Sequence, residues 1–129
     1  MRLDWGASAS TTSLIEITVP LEVDGETHNV IFNTGAPTSY VSERIVREFE
    51  FVETRSDFLP NRGTFGTDIR RVPVTIGATE RMLEVGGMNG VLAEMLEPSG
   101  MPGILGTEIL HLADVTLLMA GKTIALNFV

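Results

Sequence analysis

From Leu14 onward the pattern of apolar and polar residues becomes that of β-strands. Leu14-Ile15-Glu16-Ile17-Thr18-Val19 is β-branched and partly alternating, and Leu21-Glu22-Val23 continues it after Pro20, which predicts a first strand. Asp24-Gly25 is a two-residue hairpin signal, so residues 26–32 return as a second strand ending in Val30-Ile31-Phe32. Asn33-Thr34-Gly35-Ala36-Pro37 breaks that strand. Ser39-Tyr40-Val41-Ser42 resumes extended structure, and Ser42 is placed to cap a short helix over 43–48. Residues 51–57 are open between a connection and an edge strand. Asn61-Arg62-Gly63-Thr64-Phe65-Gly66-Thr67 reads as a glycine-rich turn. Residues 69–76 form a strand with Val72, Val74 and Ile76 on one face, Gly77-Ala78-Thr79 turns the chain, and Met82-Leu83-Glu84-Val85 pairs back. Gly86-Gly87 and Asn89-Gly90 read as turns, and residues 91–96 fit a strand or a helix. Pro98-Ser99-Gly100 and Pro102-Gly103 mark loops ahead of Ile104-Leu105-Gly106 and a short helix over 107–112, with Thr107 as its cap. Val115-Thr116-Leu117-Leu118-Met119 and Thr123-Ile124-Ala125-Leu126-Asn127-Phe128 are two final strands around Ala120-Gly121-Lys122. The sum is an all-β chain with one or two short helices and no internal repeat. Short strands spaced by glycine turns predict a small closed or partly closed barrel.

Composition bounds what such a barrel does. The 129 residues suit one domain, with 43% hydrophobic and 20% charged residues. Residues 14–129 form that domain, and residues 1–13, which include Gly6-Ala7-Ser8-Ala9-Ser10-Thr11-Thr12-Ser13, read as a flexible lead-in. There is no cysteine, so neither disulfides nor thiolate metal sites hold the fold. A net charge of −8 argues against nucleic acid as a partner, because backbone recognition needs a basic surface. No apolar run reaches the roughly 18–20 residues of a membrane span, and the first 13 residues lack the basic start and apolar stretch of a secretory signal. The compartment is unreadable; the lead-in fits a soluble domain released from a larger or membrane-anchored precursor. His28 and His111 lack metal-ligand spacing, and the glycine pairs lack a phosphate-loop lysine, so no metal and no cofactor is expected.

The chemistry concentrates at Val30-Ile31-Phe32-Asn33-Thr34-Gly35-Ala36-Pro37-Thr38-Ser39-Tyr40-Val41-Ser42. With aspartate at 33 this is two apolar residues, Phe32, Asp-Thr-Gly-Ala, and then a serine entering an apolar strand. About seventy residues on comes Gly103-Ile104-Leu105-Gly106-Thr107-Glu108-Ile109-Leu110, and Gly63-Thr64-Phe65-Gly66 lies between them. On its own, Asn33-Thr34-Gly35 is as well read as an ordinary strand-end turn. The order of the three segments resembles the retropepsin-like, single-lobe aspartic protease family over nearly the whole chain. In that resemblance they stand for the active-site loop, the apolar pair and glycine behind it, and the flap hairpin.

The resemblance implies a homodimer, because one chain carries only one active-site loop and two are needed about a two-fold axis. It implies peptide hydrolysis by water activated between two carboxylates that share a proton. Position 33 would carry the catalytic carboxylate, Thr34 would hydrogen-bond across to the partner loop, and Gly35 would permit close approach. Ile31, Ala36, Thr64, Phe65, Gly66 and Ile104 would bind an extended peptide, with apolar pockets around the scissile bond. The strands near 14–19 and 123–129 would form the dimer sheet, and Glu108 would brace the active loop. Thr107 stands where viral members carry an arginine, so their inter-subunit ion pair would be missing.

Asn33 is the departure from the pattern. An amide is nearly isosteric with a carboxylic acid but cannot take a proton from water at ordinary pH. The chain is therefore expected to bind peptides with negligible peptidase activity. Two origins for Asn33 stay open: a replacement introduced to silence an aspartic endopeptidase, or a natural one that leaves a dimeric peptide-binding pseudo-peptidase. The intact Gly35 and the glycines at 63 and 66 favour the first. An unrelated small β-barrel is the third reading.

Overall fold

The computed structural model describes residues 2–4, 6–7, 15–33, 35–59, 63–118 and 123–128. Among them the chain runs through β1 (Arg2–Asp4), β2 (Gly6–Ala7), β3 (Ile15–Glu16), β4 (Thr18–Val23), β5 (Glu26–Phe32) and β6 (Ser39–Ser42). Helix α1 (Glu43–Val46), β7 (Glu50–Leu59), β8 (Gly63–Ile76), β9 (Thr79–Met88) and helix α2 (Gly90–Leu96) follow. The chain closes with β10 (Gly103–Leu105), β11 (Ala113–Leu118) and β12 (Thr123–Phe128), and single 3₁₀ turns occupy Glu97–Ser99 and Thr107–His111.

Alternation builds the barrel. β4 buries Val19, Leu21 and Val23, and the φ values of +51° at Asp24 and +81° at Gly25 turn it tightly into β5, which buries Val30 and Phe32. β4, β5, β10, β6, β9 and β8 are hydrogen-bonded in that order, and a β4–β8 pairing at Glu22 and Thr75 closes the ring of six. The interior is aliphatic: Val19, Val30, Val72, Val85, Leu105 and Ile109 are among its buried side chains. Each such side chain contributes about 1.5–3 kcal/mol by leaving water.

The long strand β8 does two jobs, and its burial pattern shows where one gives way to the other. Val72, Val74 and Ile76 point inward as the alternation predicts, but Thr67 and Ile69 are buried on the opposite parity. The phase changes at Arg70-Arg71, where the β7 register skips Val52 to pair Phe51 with Arg70 and Glu53 with Ile69. An extra residue in one strand bends and twists the pair. Beyond that bulge, β7 and β8 leave the barrel as a two-stranded hairpin in which Leu59 pairs with Gly63.

Several local expectations change in three dimensions. Gly63-Thr64-Phe65-Gly66 is not a turn but the start of β8, and Asn61 and Arg62 of the expected turn lie outside the described residues. Residues 51–57 are an edge strand, β7, and residues 91–96 are helical. Gly86-Gly87 lies inside β9 rather than in a turn. A Cβ on Gly86 would come within 2.8 Å of the Tyr40 ring and of Thr67 Oγ1, so packing, not turn geometry, sets that position. Ser42 precedes α1 without capping it, because its buried hydroxyl donates to Glu97 Oε1 at 3.0 Å instead. The cap position of the turn at Thr107 belongs to Gly106, with no side-chain cap.

The ends of the chain meet. β12 lies between β11 and β1, with Leu3 opposite Ile124, while Gly6–Ala7 pairs with Ile15–Glu16. The lead-in thus contributes two short strands where it is described. Both edges of β12 are already paired within one chain, and residues 18–23 are held in the barrel. The edges left by this three-stranded sheet are the outer ones of β1 and β11.

Candidate functional site

β10 enters the sheet between β5 and β6, parallel to the first and antiparallel to the second. Residues 33–38 join those two strands and must therefore cross over the end of β10. Main-chain bonds fasten the crossing on both sides: Asn33 N–H donates to Leu105 O at 2.9 Å and Thr107 N–H to Ala36 O at 2.8 Å. Gly106 N–H donates to the buried Ser39 Oγ at 2.8 Å. Ile104-Leu105-Gly106 thus packs directly behind the loop that carries Asn33.

The apolar pair and its glycines fit this crossing for steric reasons. A Cβ at Gly103 would collide with Tyr40 O, and one at Gly106 would lie 2.5 Å from Ala36 O. The loop itself closes as an Asx turn. Asn33 Oδ1 accepts the Gly35 N–H at 2.8 Å, and Ala36 N–H donates to Asn33 O at 3.2 Å. With Oδ1 committed to a donor, the Nδ2 amino group is the branch of Asn33 left for solvent or ligand. Asn33 is exposed.

Glu108 supports the loop from the 3₁₀ turn. Its Oε1 accepts the Ser39 N–H at 3.0 Å. Burial pushes its carboxyl above the ordinary 4.5, against the lowering effects of hydrogen bonds from Ser39 and of the nearby Arg55 charge. Arg55 also donates to Thr38 Oγ1 at 3.4 Å, tying the β7 strand to the same loop. Between 4.5 and the raised value the folded protein binds the proton more tightly than the unfolded chain, so this contribution to stability is present below 4.5 and is lost as pH rises through the window. Glu108→Gln keeps an acceptor for Ser39 and removes the titration. Its stability relative to the parent is expected to rise from below pH 4.5 to neutrality, read by urea unfolding at a series of pH values. Parallel pH profiles for the two proteins would remove Glu108 from this role.

A cavity of about 240 Å³ opens beside Asn33. Asn33, Gly35 and Ala36 of the loop line it together with Ile104, Leu92, and Phe58 and Phe65 of the hairpin. Of the residues singled out in the sequence, Asn33, Gly35, Ala36, Phe65 and Ile104 come together here. Ile31 pairs with Ile104 in the sheet, and Thr64 and Gly66 lie on β8, but none of these three is among the described residues lining the cavity. Thr34 lies outside the described residues.

The sequence reading missed Tyr40, Asp57, Phe58 and Leu92. Tyr40 is 5% exposed, its ring centroid is 6.0 Å from that of Phe65, and its hydroxyl donates to Asp57 Oδ2. Phe58 lines the cavity and is 70% exposed. Once residues 51–59 are taken as a hairpin strand, Asp57 and Phe58 fall in its last three positions, opposite Phe65 and Thr64. The alternation alone left that stretch undecided.

The fold is similar to the solution structure of the Simian Foamy Virus (mac) protease, with a TM-score of 0.52 and 13% sequence identity over 71% of this chain and 89% of that chain. At that identity the likeness is one of fold, a closed all-β barrel with few short helices. No protein-family model matches the sequence, and none of the curated proteins does. No group of three or more potential metal ligands occurs among the described residues. No helix among them is long and apolar enough to cross a membrane.

Proposed function

We propose that this chain is one half of a two-fold assembly of the aspartic-endopeptidase type, with Asn33 standing where the catalytic carboxylate would be. As it stands, the protein binds an extended peptide and does not hydrolyse it. The observation that carries this reading is the Asn33–Gly35 turn, fastened across the end of β10 and facing a cavity shared with the β7–β8 hairpin.

The chemistry follows from that placement. A single loop offers one side chain at position 33, and water activation between two groups needs a second loop from a second copy. Facing a partner's Nδ2 across a two-fold axis, the Asn33 Nδ2 has donors to offer and no lone pair to take a proton from water. The cavity itself suits binding. Its apolar lining, to which the hairpin contributes Phe58 and Phe65, accommodates a strand-like peptide held by main-chain hydrogen bonds. Hairpin closure over the peptide would exclude water.

Sedimentation equilibrium combined with fluorescence anisotropy tests the reading. A concentration-dependent dimer is expected, taking up one labelled peptide per two chains from a degenerate extended-peptide library and returning it uncut. A chain that stays monomeric at the highest concentration reached and binds no member of the library would overturn the reading.

A further inference from the structure

The cavity beside Asn33 is lined mainly by carbon, yet one carboxylate opens into it. Asp57 stands on β7 opposite Phe65 and shares the lining with the apolar side chains of Phe58 and Leu92. Its Oδ2 accepts the hydroxyl of Tyr40, whose ring is buried and fixed against Phe65, so this oxygen is held in place. Among the described residues no cation pairs with Asp57. Arg55 is paired with Glu53, Arg70 with Asp68, and Arg71 with Glu50 and Glu84. One neutral hydroxyl donor leaves most of the Asp57 carboxylate's acceptor capacity open.

We propose that Asp57 is a specificity-determining residue that selects a basic side chain, lysine or arginine, on the bound peptide. The inference rests on the peptide-binding reading above and deepens it. The aliphatic stem of such a side chain lies along Phe58, Phe65 and Leu92, and its cation meets Asp57 Oδ1. Tyr40 acts as a positioning residue that aims the carboxylate. The selectivity is therefore mixed, apolar along the stem and acidic at the end, where the sequence pattern alone suggests wholly apolar pockets. The net charge of −8 would also draw basic peptides toward the protein.

The experiment measures binding of labelled peptide pairs that differ only in carrying lysine or norleucine, which keeps the four-carbon stem without the ammonium group, scanned through each position. At one position lysine is expected to bind about tenfold more tightly, the lower end of what a charge-assisted hydrogen bond gives in a partly exposed site. Asp57→Asn should bring that ratio close to one, while Asp57→Glu, which keeps the charge, should retain a preference. Thermal unfolding checks that both variants are folded. If either is not, the lysine-to-norleucine ratio of the unsubstituted protein still decides, because it must shrink as salt rises. Failure to bind any peptide overturns the peptide-binding reading and this assignment together. Binding with equal affinity for lysine and norleucine at every position, or a ratio that survives in Asp57→Asn, overturns the role of Asp57 alone.

Discussion

Asn33→Asp is expected to turn a chain that leaves peptides intact into an endopeptidase, with a gain in kcat/KM of at least about 10²–10⁴-fold, the range that general acid–base catalysis supplies. The two branches of the Asn33 side chain have different surroundings. In the present protein Oδ1 accepts the Gly35 N–H at 2.8 Å, which leaves Nδ2 as the outward branch. An aspartate in the same rotamer keeps the inner bond and places an oxygen where the amino group was. Two such oxygens facing each other across a two-fold axis cannot both ionise easily, so one holds a proton and the other can accept one from water. The pH–rate profile should be bell-shaped with apparent values that belong to the pair. Cleavage of internally quenched peptides between about pH 3 and pH 7, with Asn33→Ala as the inert control, is the measurement. A dimeric Asn33→Asp protein that cuts nothing in a broad library would leave a binding module without latent chemistry.

Gly106→Ala is expected to lower stability by about 2–5 kcal/mol, from overpacking together with the loss of buried hydrogen bonds. Its new Cβ would lie 2.5 Å from Ala36 O and 2.9 Å from the carbonyl carbon and oxygen of Thr38. All three atoms are main chain, so no rotamer change relieves the contact. The loop must move, and with it the 2.8 Å bonds from Thr107 N–H to Ala36 O and from Gly106 N–H to Ser39 Oγ. Backbone conformation contributes nothing here, since Gly106 has φ −90° and ψ −169°, extended values open to any residue. Gly100 is the contrast. Its φ is +79°, but a Cβ there meets nothing within 4 Å, so Gly100→Ala carries only the left-handed penalty of about 1–2 kcal/mol. Thermal and urea unfolding of the two variants side by side separates the mechanisms. A Gly106→Ala protein no less stable than Gly100→Ala would mean that the loop does not rest on β10.

How far the sequence reaches depends on whether a feature is local. The Asp24-Gly25 hairpin, the strand before Asn33 and the packing of Ile104-Leu105-Gly106 behind it follow from turn chemistry, alternation and the resemblance of short motifs. Features that depend on distant partners were hidden. The phase change at Arg70-Arg71 arises from a bulge at Val52 on another strand. Ser42 has the right residue type and place for a cap, yet Glu97, 55 residues on, takes its hydroxyl. Gly63 and Gly66 look like turn residues, yet both lie in β8, where Gly63 pairs with Leu59 and Gly66 with Ser56. Asp57 became visible as a site residue only when Tyr40 met it across 17 residues of chain.

The insertion of β10 between β5 and β6 also dictates an order of events during folding. The loop at 33–38 is made early in synthesis, but its main supports, Gly106 and Glu108, reach Ser39 across 67 and 69 residues. Closing contacts that far apart is entropically slow compared with forming the hairpins, which need only their neighbours. A nascent chain that has emerged only as far as β9 can hold its hairpins but not the Asn33 loop. Assembly of the site is in this sense a late checkpoint, open only to a chain that has emerged through Glu108.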